Sequence, residues 1–383
     1  MTGVGTRTLL SVVLAIALFM TGAGCLDLLP WTHPPAIYPS IVPVQGGAMP
    51  RPPVYRFPFQ DYSVTIDVPV DAAVYAGARN ADKGARIFDQ DITEDEWRAG
   101  IYRALMEDPE QEGFFAGLLS ALRSVRDTRA LDSDEYAELL AVFVQSIPYE
   151  TRKSSDPRFP VEVYVDGAGD CDDKSLLLAS LLAREGYRAA LLYFGPEAHM
   201  AVGVGCSGPG YRHTGYAYIE TTNVTFVGVP PRELADGVRL ESFPTIIPVG
   251  SGTLNYTRCP ETGALSRAME KMGDEADSLR VRIRDLEEDL LHKKSELEAL
   301  RVEMEGMKRH GNVAGYNSRV ARYNAGVTEY NTMRSRLSDL VTRYNRLVDT
   351  YNTLSSHQFD RKGMYAGLAS VGDPSDPRGS VPA

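Results

Sequence analysis

The C-terminal third of the chain repeats apolar residues at intervals of three and four, a pattern that needs a long helix-on-helix seam to bury it. Met269, Met272, Ala276, Leu279, Ile283, Leu286, Leu290, Leu297, Leu300, Met304 and Met307 follow it, with one break at Lys293. His310-Gly311-Asn312 interrupts the run, and it resumes through Tyr316, Val320, Tyr323, Val327, Tyr330, Leu337, Val341, Tyr344, Val348 and Tyr351. Each stretch is about 40 residues, or roughly 60 Å at 1.5 Å per residue. The short break predicts an antiparallel coiled-coil hairpin over 262–357. Tyr316, Tyr323, Tyr330, Tyr344 and Tyr351 are each followed by Asn. The simplest reading puts the tyrosines in the seam and the asparagines beside it; the other is a stripe that recognises a polymer or a partner helix.

The opposite end has the character of an export signal. Leu9–Met20 is an apolar run of about a dozen residues, shorter than the ~20 of an ordinary span. Small residues and Cys25 follow. Residues 1–25 therefore resemble a lipoprotein signal with Cys25 as the lipidated residue; an uncleaved N-terminal anchor and ordinary cleavage are the alternatives. All three place the mature protein outside the cytoplasmic membrane, and the first two tether it there. Residues 26–60 carry nine prolines between Pro30 and Pro58, which predicts an extended linker. The tail over 370–383, rich in Gly, Pro, Ser and Asp, is expected to be disordered. A formal net charge of -11 argues against nucleic acid as a partner, since non-specific binding needs a basic footprint.

Between these ends, 61–255 reads as one α+β domain. Ser63–Val70 alternates like a half-buried strand. Thr93 and Glu96 have capping-box spacing and predict a helix over 94–107, and another is expected over 110–126. Asp132 and Glu135 open a third, with Tyr136, Leu139, Leu140, Phe143 and Val144 at helical spacing and Pro148 closing it. Residues 157–170 read as a loop. The stretch Leu176–Ala183 is apolar on nearly every face, so its helix belongs inside a core, and Gly186 stops it. Strand-like runs follow at Arg188–Phe194, His199–Gly205 and Gly215–Thr221, predicting a helical part packed on an antiparallel sheet.

Chemistry concentrates at the start of that buried helix, in Gly169-Asp170-Cys171-Asp172-Asp173-Lys174-Ser175. A helix N-terminus favours the thiolate of Cys171. His199 opens one strand and Glu220 ends the next run, and neighbouring antiparallel strands bring such residues side by side. A carboxylate beside an imidazole orients it and stabilises its protonated form. Asp170, Asp172 and Asp173 oppose the thiolate by like charge, so Asp172 and Asp173 are expected to point away and cap the helix. Cys206 and Cys259 either pair as a disulfide, which export permits, or remain separate thiols. No paired Cys/His spacing predicts a metal site, and no cofactor is expected.

The run from Phe143 to Thr222 resembles the transglutaminase-like superfamily, with its papain-like fold and its bacterial cysteine-proteinase branch. The resemblance rests on Phe143-Val144-Gln145-Ser146-Ile147-Pro148-Tyr149, Gly169-Asp170-Cys171-Asp172-Asp173, Gly186-Tyr187, His199 and Glu220-Thr221-Thr222. Two positions depart from the family pattern: Glu220 where Asp is commoner, and Met200 where an aromatic often follows the His. It implies Cys171 as nucleophile, His199 as base and Glu220 as orienting acid, acting on a protein or peptide substrate. By analogy with papain-like enzymes Gln145 is an oxyanion candidate. The same fold also serves as an inactive binding module, and in that reading the coiled coil supplies assembly with further copies or with an envelope partner.

Overall fold

The computed structural model describes residues 36–88, 91–151, 156–234 and 237–371. The apolar run Leu9–Met20 and Cys25 lie outside them, as does the tail from residue 372. Among the described residues no helix is long and apolar enough to cross a membrane.

The chain is α+β. In order it runs β1 (Ala36–Ile37), β2 (Tyr55–Phe59), β3 (Tyr62–Ile66), α1 (Ala72–Asn80), β4 (Arg86–Ile87), α2 (Glu94–Glu107), α3 (Glu112–Arg129), α4 (Ser133–Gln145), α5 (Pro160–Asp166) and α6 (Cys171–Arg184). Strands β5 (Ala189–Phe194), β6 (His199–Gly205), β7 (Tyr216–Ile219) and β8 (Thr245–Val249) follow. The helices α7 (Cys259–Arg309), α8 (Val313–Ser356) and α9 (Arg361–Val371) complete it. The main sheet has the order β7-β6-β5-β8 with every neighbour antiparallel.

Helix α6 is the centre of the core. Leu176, Leu177, Leu178, Leu181 and Leu182 are all at 0% exposure, and at about 1.5–3 kcal/mol per buried leucine they contribute roughly 8–15 kcal/mol before entropy. A helix apolar all round needs cover on every side. Helices α2, α4 and α5 supply it on one side, and β5, β6 and β8 on the other. Gly186 ends the helix at φ +83°, a conformation that costs glycine nothing. The capping box predicted at Thr93/Glu96 is formed, and Asp132 with Glu135, read as a helix start, forms another.

Three parts of the domain depart from the sequence expectation. The proline-rich stretch is folded from Ile41 onward. Ile41 is buried and its amide donates to Asp108 Oδ2 at 2.8 Å. Tyr55, Phe57 and Phe59 face inward from β2, whose Pro58 is tolerated because the two-stranded β2–β3 sheet leaves that strand an open edge. Alternating aromatic residues outweigh proline content here. Residues 160–166, read as loop, form a helical turn because Val161, Val163, Tyr164 and Val165 are buried, too short a run to show a helical period. Strand β8 also went unseen, and it completes the sheet beside β5.

The hairpin is antiparallel. Its cross-helix ion pairs run in opposite directions along the two helices: Glu275 with Arg343, Lys293 with Glu329 at 2.8 Å, and Glu303 with Arg319 at 2.7 Å. Lys293, the break in the heptads, thus reaches across the seam to a carboxylate. In α7, Leu265, Met272, Leu279 and Leu286 are buried at heptad spacing. In α8 the deepest residues are Leu340, Leu347 and Leu354, while the tyrosines of the Tyr-Asn repeats are half-buried on its flank. Cys206, just after β6, is paired with Cys259, the first residue of α7, so the base of the hairpin is tied to the sheet. Beyond α8 the chain turns back. The Gln60 backbone N–H donates to Phe359 O, and Arg361 is buried between Glu138 of α4 and Glu261 of α7. Helix α9 packs on α7 and reaches into the segment expected to be disordered.

Candidate active site

Cys171 is the first residue of α6, with Asp170 as N-cap. Asp170 and Asp173 form a capping box: the Asp173 amide donates to Asp170 Oδ1 at 3.1 Å. Asp173, fully buried, also accepts from the Arg158 backbone at 2.7 Å and from its guanidinium Nε at 2.9 Å. That ion pair fixes the first turn of α6. Ser175 fixes the next by donating to Met200 O and sharing a hydrogen bond with Thr221 Oγ1, each at 3.2 Å. Helix α6 is thereby tied to β6 and to the segment just after β7, which carry the other candidate groups.

His199 and Glu220 meet because of strand register. Val202 pairs with Ile219 and Gly203 with Tyr218. Side chains two apart share a face, so His199 on β6 and both Tyr218 and Glu220 of β7 and its end share one. His199 Nε2 lies 3.3 Å from Glu220 Oε2, with the two residues 4% and 1% exposed. The other carboxylate oxygen accepts from the amides of Thr221 and Thr222 and from the Thr222 hydroxyl at 2.7–3.0 Å. Burial alone would raise the Glu220 carboxyl. The His199 contact, the Thr222 amide and the Tyr218 hydroxyl outweigh it and hold the group at about 2. Glu220 is therefore an anion at working pH and cannot donate.

Tyr218 went unnoticed in the sequence, although it stands two residues before Glu220 on the same strand face. Its hydroxyl donates to Glu220 Oε2 at 2.7 Å and lies 3.2 Å from His199 Nε2. Phe194, Tyr211 and Leu240 pack around this buried phenol.

Gln145, the oxyanion candidate, ends α4 beneath the same site. Its amide nitrogen donates to Glu220 O at 2.7 Å and Thr225 O at 3.2 Å. Both amide hydrogens are thus spent on backbone carbonyls, so Gln145 clamps the Glu220–Thr225 segment and has none left for an oxyanion. Beside it Lys174, also missed, is fully buried and donates to Ile147 O at 2.6 Å and Gln145 O at 3.3 Å. Burial pushes its ammonium down to about 8, against the pull of Glu220.

The thiol itself is less prepared than the sequence suggested. Asp172 does not point away: its Oδ1 lies 3.5 Å from Cys171 Sγ. Burial pushes the thiol well up, the Asp172 carboxylate adds to that, and a hydrogen bond from the Met200 backbone opposes it. Burial, then Asp170, push Asp172 itself up to about 6. No hydrogen bond joins Cys171 to His199 among the described residues, and His199 Nδ1 has no hydrogen-bond partner there. Tyr102 of α2 stands close to this acidic first turn, with burial, Asp172 and Tyr193 all raising its phenol.

Among the described residues no group of three His, Cys, Asp or Glu side chains is placed to hold a metal ion. No protein-family model, curated protein or solved structure matches this chain.

Proposed function

We propose that this chain is a cysteine-dependent acyl-transfer enzyme of the transglutaminase-like, papain-like kind, with Cys171, His199 and Glu220 as its triad. The observation that carries the reading is the buried His199–Glu220 pair at 3.3 Å, next to the helix headed by the chain's one unpaired described cysteine. Cys171 Sγ attacks the carbonyl carbon of an amide and its proton passes to His199. The tetrahedral oxyanion collapses to a thioester as His199 returns that proton to the departing amine. Water, deprotonated by His199, then adds to the thioester carbon; the C–S bond breaks, the acid leaves and His199 returns the proton to the Cys171 sulfur, and an amine in place of water gives a new amide. The backbone N–H of Cys171, at the start of a helix where no intrahelical acceptor exists, is the nearest candidate to receive the oxyanion. Glu220 holds the imidazole and balances its charge when protonated. The substrate class is a protein or peptide, and hydrolysis is favoured because nothing marks a dedicated amine site.

The N-terminal signal adds an extracytoplasmic location, tethered at the membrane. The hairpin then gives the tethered domain reach, or a surface for a second copy or an envelope partner.

A second reading is favoured by one observation, Asp172 Oδ1 at 3.5 Å from Cys171 Sγ, where its charge opposes thiolate formation. In it the domain binds a peptide without turning it over. The pH dependence of Cys171 alkylation by iodoacetamide separates the two. The enzyme reading expects reaction well below the ordinary thiol pKa of about 8.5, lost in His199→Ala. Equal rates in both proteins, with an ordinary or raised pKa, establish the binding module instead.

A further inference from the structure

We infer that Tyr218 is a positioning residue for the acyl-transfer chemistry proposed above: with Glu220 it fixes His199 as the Nε2–H tautomer, leaving the lone pair on Nδ1 to take the thiol proton. The inference rests on that functional reading for its consequence, and on hydrogen-bond direction around an ionised Glu220 for the tautomer. Glu220 Oε1 accepts from the Thr221 and Thr222 amides and the Thr222 hydroxyl, donors that suit an ionised carboxylate, which only accepts. The phenol hydrogen of Tyr218 must therefore lie on the 2.7 Å contact to Glu220 Oε2. The Tyr218 oxygen, its single hydrogen spent, presents only lone pairs to His199 Nε2 at 3.2 Å. Glu220 Oε2 presents another at 3.3 Å. Both neighbours of Nε2 are acceptors, so Nε2 carries the hydrogen. In the neutral ring Nδ1 is then bare, as a base must be.

The pair divides the work. Glu220 supplies charge, while Tyr218 fixes Glu220 Oε2 in place and shares the imidazole N–H. Its ring is wedged at 5.2 Å from Tyr211 and 6.3 Å from Phe194, centroid to centroid, so the hydroxyl cannot wander. Tyr218 shares the face of Glu220 because the two are two residues apart along the strand direction.

Nitrogen-15 NMR of His199 in the full chain tests this directly, read at a pH where the ring is neutral. The wild type should show a protonated Nε2 and a bare Nδ1. Tyr218→Phe keeps the ring and its packing, removes one acceptor from Nε2 and one donor from Glu220, and should lower the tautomer ratio by about three- to tenfold, the worth of one hydrogen bond. Iodoacetamide alkylation of Cys171 should slow by a similar factor toward the His199→Ala rate, because the imidazolium formed when the thiol gives up its proton loses the same acceptor at Nε2. A wild-type ring protonated at Nδ1, or a mixture, overturns the inference without any variant having to fold. If alkylation depends on His199 yet Tyr218→Phe changes neither tautomer nor rate, the inference fails and the enzyme reading stands. If the tautomer behaves as stated but alkylation ignores His199→Ala, the enzyme reading fails and the tautomer assignment stands.

Discussion

Replacing Arg361 with alanine should cost about 2–3 kcal/mol of stability at pH 8 and about 1–2 kcal/mol at pH 5. Arg361 sits where the chain returns from the hairpin, 5% exposed, with Glu138 of α4 7% exposed beside it. Both charges have left water. Removing one partner leaves the other as an unpaired buried anion or makes it take up a proton; the proton is the cheaper outcome and, with the wild-type carboxyl already near 7, adds about 1.4 kcal/mol at pH 8 to the lost hydrogen bonds. The Tyr256 hydroxyl, donating to Glu138 at 2.6 Å, remains but cannot neutralise it. Even with the guanidinium present, burial pushes the Glu138 carboxyl up to about 7; without it the carboxyl goes higher still. An acid raised in the folded state keeps a proton that the unfolded chain, with a carboxyl near ~4.3, has already lost. Folding stability therefore falls as pH rises through that window, and more steeply in the variant. At pH 5 Glu138 is protonated and no anion is stranded, leaving a deficit of about 1–2 kcal/mol from lost hydrogen bonds. Urea unfolding of both proteins at pH 5 and pH 8 measures it. A deficit below about 1 kcal/mol at both pH values, or a larger one at pH 5, would refute the stranded-charge reasoning. Glu138→Leu combined with Arg361→Met should restore most of the loss, since the cost lies in the buried carboxyl left without its partner and not in the missing bridge.

Three further outcomes are expected. Cys206→Ser with Cys259→Ser releases a loop whose ends are 53 residues apart, and chain entropy puts the loss at about 4 kcal/mol; an unchanged melting temperature in calorimetry would show that the pair contributes nothing. For Lys174, pushed down to about 8 from 10.5, the unfolded chain binds the proton more tightly, so stability rises with pH between those values. The wild type should gain about 3 kcal/mol on Lys174→Met across that window by denaturant titration, and a flat difference sinks the idea. Asp172→Asn should make Cys171 easier to ionise and speed its alkylation at pH 8 by about tenfold or more. Because the Asp172 carboxyl is pushed up to about 6, the two rates should converge below that pH; a constant ratio down to pH 5 counts against the Asp172 effect.

Local rules made much of this chain legible. Capping-box spacing located the starts of α2 and α4, and the apolar run after Cys171 announced a helix buried on all sides. The start of one strand and the end of the next placed His199 and Glu220 within reach, since alternation is a short-range property. The heptads gave the hairpin and its break at 310–312. The seam was legible only in part. Leu340, Leu347 and Leu354 are the deepest residues of α8, but Tyr and Val stand at equally periodic positions beside them, and only the facing helix decides which stripe is central.

What composition and period settled by themselves was the α+β character of the domain, the position of its central helix and the long helical pair, because each is encoded in residues a few positions apart. Tertiary structure decided everything that depends on distant partners. It drew the proline-rich stretch into the core as β2, because Tyr55, Phe57 and Phe59 find apolar cover there. It gave Gln145 two carbonyls and so removed it from the oxyanion, turned Asp172 toward the thiol, and buried Lys174 beneath the site. It also set Tyr218 between His199 and Glu220. A side chain's hydrogen-bonding capacity is written in its type, but whether that capacity is spent depends on which groups the fold brings within about 3 Å.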